Sequence, residues 1–491
     1  SYVDEVYIKK IGSKPPAQAR DDGESDGSDK VIRSYMIIVA LYTVSASLIW
    51  GVNTLFLLDA GLDIFQVFIA NAVFTGAMAL FEIPTGVLAD TRGRRASFLL
   101  SVIVIFFGTL GYVGAAAVGG GLLLFSLMSV VLGLGYTFYS GATDAWLVDA
   151  LQATGYEGEL DHVFARSWMV TGAAMLVGTV GGGLLGEIDL AVPFLARAAL
   201  LVVVFVVAFF TMHDLGFTPR ATGLAEIPGE MSKVAQASIT YGWQNKSVRL
   251  LMIGSLVQGI FMAWGFYAWQ PYFLDLLGRN ATWVAGVVAA LISLAMIAGN
   301  SLVEWATRYC GRRTTLLLGA AAVHAVAAVG VGLAGSFWLA VAFYLVAMAA
   351  FGVWTPVKQA YMHQLIPSEQ RASVISFDSL VNSGGGMIGQ VGLGRLAQVQ
   401  SIAAGYVVGG LITALAVPTM LRLRRRNDIG TCDRRRRPEA RCRFECGLLC
   451  ECLECLVGLV VAEHHQHSGA VERAVVDRWR SGHDVDRNSP E

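Results

Sequence analysis

Charge is scarce in this sequence. Only 15% of its 491 residues are Asp, Glu, Lys or Arg, against about 25% in an average soluble domain. Hydrophobic residues make up 55% and the mean hydropathy is +0.57. A soluble fold of this composition would expose large apolar patches, so lipid must serve as solvent for much of the chain. Cysteine is nearly absent from the body of the sequence: Cys310 stands alone and the other six lie between Cys432 and Cys455. That excludes a disulfide framework. The net charge of −1 gives no pull toward nucleic acid. No Gly-x-x-x-x-Gly-Lys-Ser/Thr run occurs, so no nucleotide-driven step and no cofactor is expected. The apolar stretches hold no clustered nucleophile or metal set, which argues against an enzyme.

What the chain has instead is long apolar runs. A membrane-spanning helix needs about 20 mostly apolar residues. Twelve stretches qualify, near 34–58, 64–88, 96–118, 121–147, 164–186, 190–211, 250–274, 281–303, 314–334, 337–361, 373–396 and 401–420. The expected architecture is therefore an all-α membrane protein. Connections are short except 212–247, which holds Pro219 and Pro228 and a candidate surface helix from Met231 to Trp243. It reads as a linker between a bundle at 31–211 and a second at 248–422. Residues 1–30 read as a disordered polar tail without a cleavable signal. The first residue is Ser1 rather than Met, which leaves the true start open.

Basic residues suggest orientation. With both termini in the cytosol, the inner loops receive Arg92, Arg94, Arg95, Arg220, Lys233, Lys246, Arg308, Arg312, Arg313 and Arg371, while the outer side receives Arg279 and Arg395. That follows the positive-inside rule for a multi-pass protein of the plasma membrane.

The two halves repeat at about 215 residues. Trp50-Gly51…Leu58-Asp59 returns as Trp264-Gly265…Leu274-Asp275, and Gly93-Arg94-Arg95 as Gly311-Arg312-Arg313. Asp144-Ala145-Trp146-Leu147 returns as Gln359-Ala360-Tyr361-Met362, and Gly181-Gly182-Gly183 as Gly384-Gly385-Gly386. Six spans per half is an even number, so both halves enter from one side, as in a parallel repeat with its axis along the membrane normal.

Residues 86–95 read Gly-Val-Leu-Ala-Asp-Thr-Arg-Gly-Arg-Arg, after Phe81-Glu82-Ile83-Pro84-Thr85. This segment closely resembles the loop between spans two and three of the major facilitator superfamily. With the twelve spans and the repeat, the resemblance covers roughly residues 31–422. It implies a secondary transporter that moves a small solute by alternating access between two six-helix bundles, driven by an ion gradient, a proton by default. Export of a drug-like or hydrophobic compound is the leading expectation. Uptake of a sugar or other metabolite, or a sensor that keeps the fold without transport, are the alternatives. A monomer is expected.

The resemblance also implies a latch of Gly86, Asp90, Gly93, Arg94 and Asp149 that holds the halves in one state. A topogenic loop without a gating role is the plainer reading. In the second half, Glu304 and Arg308 stand where Gly86 and Asp90 would align, so a symmetric latch is not expected.

Ionisable groups at membrane depth usually face a cavity or a partner. Asp144 and Lys358 rank first, because the family lines its cavity with spans one, four, seven and ten. They are candidates to pair with each other, or singly to hold substrate or a proton; a structural ion pair is the bland alternative. Glu82 and Asp378 are further proton candidates, with packing as the competing role. Arg197, near the outer end of span six, is expected to snorkel, and His324 to pack. Asn53, Trp146, Trp264 and Gln270 are candidate substrate contacts in an aromatic, amide-bearing cavity, although interface belts also use Trp and Tyr. Drug–proton antiporters of the family add a proline to the fifth-span glycines and an arginine in span four; both are missing here.

The tail 423–491 is rich in Arg, Cys and His. Cys442, Cys446, Cys450, Cys452, Cys455, His464, His465 and His467 are conceivable zinc ligands. Their irregular spacing favours a disordered tail or an altered reading frame, and no metal is expected.

Overall fold

The computed structural model describes residues 22–430, except 141, 157, 218–228, 230–231, 233–235, 237, 279–280, 311 and 368–369. The tail from 431, with its Cys and His candidates, lies outside the described residues, as do Pro219, Pro228, Lys233, Arg279 and most of the candidate surface helix. Of that helix, Ser238–Trp243 forms a single wide π-helical turn.

Among the described residues, ten helical stretches are long and apolar enough to cross a bilayer. The other two expected spans are also helical. Span one is Asp22–Ser47 followed, after a break at 48–52, by Asn53–Asp59. Its helix starts inside the stretch read as a disordered tail. Span eleven, Arg371–Val399, carries Asp378, Ser379, Asn382 and Gln390 among its apolar residues. The remaining spans are Ile64–Arg92, Arg94–Ala117, Gly121–Ser140 with Ala142–Ala153, Leu160–Gly186, Val192–Thr211, Lys246–Leu277, Thr282–Cys310, Arg313–Leu333, Phe337–Leu365 and Ile402–Ala414 with Ala416–Gly430.

Local chemistry sets several ends. The Asp63 carboxylate accepts the Gln66 N–H at 2.9 Å while the Gln66 side chain accepts the Asp63 N–H at 3.1 Å, a reciprocal cap that opens span two. Asn245 caps span seven, which stops at Gly278 with φ 70°. Side chains such as Phe107, Leu123, Phe210 and Trp338 are more than half exposed, a surface that only lipid tolerates.

The packing repeats. In the first bundle, span two packs on four, three on four, one on five, three on six and one on six. In the second, eight packs on ten, nine on ten, seven on eleven, nine on twelve and seven on twelve. Adding six to each member of the first set yields the second. Between the bundles, span two meets eleven and span five meets eight. A half-turn that exchanges the bundles carries one of these contacts onto the other.

Glycine allows the close contacts. A Cβ at Gly182 would lie 1.8 Å from the Leu48 carbonyl oxygen of span one, and a Cβ at Gly389 would lie 1.8 Å from the Ile260 oxygen of span seven. The repeated glycine runs therefore seat span five on one and span eleven on seven.

Candidate functional site

The break in span one organises one end of the molecule, the end away from the basic loops. In an uninterrupted helix the Thr54 N–H would be given to the Trp50 carbonyl. Here the Gln270 carboxamide of span seven sits between them. Its Oε1 accepts the Thr54 N–H at 2.9 Å, and its Nε2 donates to the Trp50 oxygen at 2.8 Å. Gln270 is fully buried. One residue turn away, Pro271 has no N–H to offer the Tyr267 carbonyl, and that carbonyl accepts the Thr54 hydroxyl at 3.0 Å. Two irregularities, a broken helix and a helical proline, thus satisfy each other across the bundle boundary.

Spans five and eight close the same end. A Cβ at Gly183 would lie 2.7 Å from the Gly286 Cα. Beyond them, Glu187 accepts the Thr282 hydroxyl at 2.7 Å and the Trp283 N–H at 2.9 Å. Both bonds, the hydroxyl first, hold the Glu187 carboxyl below its usual value of 4.5. Deeper in, Thr75 donates to Gln390 Oε1 at 3.3 Å, joining spans two and eleven.

Beneath this seal lies a cavity of about 220 Å³, lined by Ile49, Trp50 and Asn53 of the break, by Asn71, Phe74 and Met78, by Tyr112, Leu132, Tyr136 and Arg197, and by Phe266 and Tyr267 across the boundary. Arg197 does not snorkel as its position suggested: it is 2% exposed. Its helix buries Phe194, Arg197, Ala198, Leu201, Val204 and Ala208 on one stripe, which turns the guanidinium inward. There Nη2 donates to Tyr136 Oη at 3.1 Å, and the group lies 5.7 Å from the centre of the Tyr136 ring. Asn53 Nδ2 donates to Asn71 Oδ1 at 3.5 Å. Asn71 and Tyr112 were missed from sequence, although an asparagine inside apolar span two was a visible signal.

The other candidates separate. Lys358 does not pair with Asp144. Its Nζ donates to Asp378 Oδ2 at 2.5 Å and to Ser255 Oγ at 2.7 Å, while Ser255 donates to Asp378 Oδ1 at 2.6 Å. This closed triangle joins spans seven, ten and eleven. Asp144 is exposed and accepts the Tyr35 hydroxyl at 2.7 Å. Glu82 is also exposed, so the packing role does not describe it. Trp146 and Trp264 are buried and stand apart from the cavity wall. Trp146 donates to the His213 carbonyl at 2.6 Å, and Trp264 packs edge-on to Tyr406 at 4.9 Å. His324 is buried between Phe261 and Phe351 and bonds Gln258 at 2.7 Å.

At the basic end, Arg94 Nη1 meets Asp90 at 2.6 Å and Nε faces Asp149 at 3.8 Å. Gly93 adopts φ 103°, and a Cβ there would strike the Asp214 carboxylate at 2.5 Å. Asp214 in turn accepts the Arg95 N–H at 2.9 Å, tying the loop to the end of span six. A Cβ at Gly86 would meet nothing within 4 Å, so no neighbouring helix packs closely on it.

Known proteins fit this geometry. The Major Facilitator Superfamily model matches residues 35–389 and 284–448. The chain belongs to that superfamily. A curated relative, the uncharacterised MFS-type transporter YxaM of Bacillus subtilis (strain 168), is 22% identical over 387 residues, covering 75% of this chain and 89% of the relative. Among solved structures, the nucleoside transporter NupG superposes with a TM-score of 0.67 at 11% identity, covering 80% of this chain and 98% of its own. A POT family transporter in complex with a thioalcohol-conjugated peptide gives 0.61 at 12% identity, with 80% and 96% covered. At such identities these structures share the fold alone. The superfamily member described here is thus a multi-pass membrane transporter of two six-helix bundles.

Proposed function

We propose that this transporter carries a small, planar, amphiphilic solute across the plasma membrane by rocking its bundles about the cavity, with both termini in the cytosol. The positive-inside rule places the basic end in the cytosol, so the sealed end faces outward. One observation carries this reading: the cavity wall and the seal share the break in span one. Trp50 and Asn53 line the cavity, while the Trp50 carbonyl and the Thr54 N–H make the closing bonds to Gln270. A solute that shifts the break shifts the seal.

Rings and amides in the wall suit a flat solute with a hydrogen-bonding edge; the nucleoside for which NupG is named is of this general shape. A sugar would need more polar partners than this wall supplies, which ranks sugar uptake second. Proton entry drives export, and the Lys358–Asp378–Ser255 triangle, which ties spans seven, ten and eleven together, couples the second bundle to it. Asp90, Arg94 and Asp149 act as the latch, and Gly86 receives a neighbouring helix in the opposite state.

The test is flux in proteoliposomes with uridine, benzoate and ethidium as solutes, with and without a pH gradient. Gradient-driven flux of at least one, lost in Gln270→Leu, is expected. Thermal protection by these solutes without flux of any would identify a sensor instead.

A further inference from the structure

The cavity contains a charge with no counter-charge. Arg197 is 2% exposed, and among the described residues no carboxylate pairs with it. Its Nη2 is given to a phenol, its Nε has no hydrogen-bond partner, and the Nδ2 of Asn71 on the same wall is also unpartnered. A guanidinium buried at membrane depth without an anion is costly. The Tyr136 face offsets part of that cost, but a ring is a poor substitute for an oxyanion. The wall therefore offers donors in surplus, one full positive charge and no acidic side chain.

We infer that Arg197 and Asn71 form an anion subsite, and that the solute is an aromatic or amphiphilic carboxylate whose acidic group lies on Arg197 while its ring lies among Trp50, Phe74, Tyr136 and Tyr267. The guanidinium fork suits a carboxylate held by two nitrogens. The phenyl-sized remainder fits about 220 Å³. This inference rests on the transporter reading for its meaning, since it names the substrate class of that cavity.

Matched probes test it. Thermal unfolding of the purified full chain is followed with benzoate against benzamide and with 2-naphthoate against 2-naphthamide, at about pH 7.5, where both acids are ionised. The acids are expected to protect at roughly tenfold lower concentration than the amides, as a charge-assisted bond predicts. Arg197→Gln abolishes that preference, weakening protection by the acids far more than protection by the amides. Arg197→Lys keeps the charge but loses the fork, and narrows the preference. If Arg197→Gln fails to fold, the narrowing in Arg197→Lys carries the test. Equal protection of the unaltered protein by acid and amide, protection by neither, or an undiminished preference in both variants overturns the subsite. The two readings fail separately. Flux without acid preference sinks the subsite alone, and acid preference without flux of any solute sinks the transporter reading alone.

Discussion

The two bundles share a frame and differ in chemistry. Every helix pairing of the first has its counterpart in the second, down to the glycines that seat span five on one and eleven on seven. Yet the first bundle holds a buried cation, Arg197, that no carboxylate among the described residues pairs with, beside the cavity, whereas the second holds a compensated triangle, Lys358, Asp378 and Ser255. The loops agree more closely: the repeat-related Arg95 and Arg313 both donate to backbone carbonyls, of Phe209 at 2.7 Å and of Ala360 at 3.3 Å. A repeat can thus conserve the packing that allows rocking while its halves specialise. Here the first bundle carries the uncompensated cation at the cavity and the second carries a closed ion pair.

Breaking the compensation in the second bundle should have the largest effect. Asp378→Asn or Lys358→Met alone strands a buried charge or its partners at a cost of about 3–5 kcal/mol. Thermal unfolding should show a large loss for each single change and a much smaller one for the double variant. Independent, additive losses would mean that the two side chains do not act as a pair.

Changes at the seal rank next. Gly183→Val drives a side chain into the Gly286 backbone and should hold the sealed end open, read as faster labelling of a cysteine placed at Asp59. Gln270→Leu removes two bonds that span the bundles, for which about 1–3 kcal/mol is expected, and should shift the same labelling rate by about tenfold. Unchanged labelling in both variants would mean that this end is not a gate.

The latch should respond less. Asp90 and Asp149 are partly solvated, so each pair contributes no more than about 1 kcal/mol. Asp90→Asn should slow flux several-fold at normal membrane expression; unchanged flux would remove the latch. The smallest effect belongs to Glu187. Its carboxyl is held below the usual range by Thr282 and Trp283. Its contribution to closure is therefore full above that range and fades as pH falls through the lowered value. Cysteine accessibility at the sealed end should stay flat near neutral pH and rise only in acid, and Glu187→Gln should flatten the acid rise.

Much of the frame was legible in sequence, because length and hydropathy locate spans and the Gly-Arg-Arg pairs locate the repeat. The break in span one was not legible. Ser47 to Asn53 reads as ordinary apolar helix, and only Gln270, more than two hundred residues away, completes it. Arg197 was misread for a related reason. Position along a span gives depth but not direction, and in a helix as uniformly apolar as Val192–Thr211 no polar face marks the inward side. The charge itself was the pointer, since membranes rarely tolerate one facing lipid. Asp144 and Lys358 do fall on the helices of spans four and ten, but the repeat says nothing about which neighbour each side chain chooses.

The central claim is reciprocal opening around the span-one break. Spin labels at the exposed, repeat-related positions Asp59 and Asp275 report the sealed end, and labels at the exposed positions Arg92 and Arg312 report the basic end. Distances for each pair, measured by pulsed electron resonance in nanodiscs with and without a transported solute, should change in opposite senses, one lengthening as the other shortens. Two distances that stay fixed, or that lengthen together, while the labelled protein still carries the solute, would contradict the account.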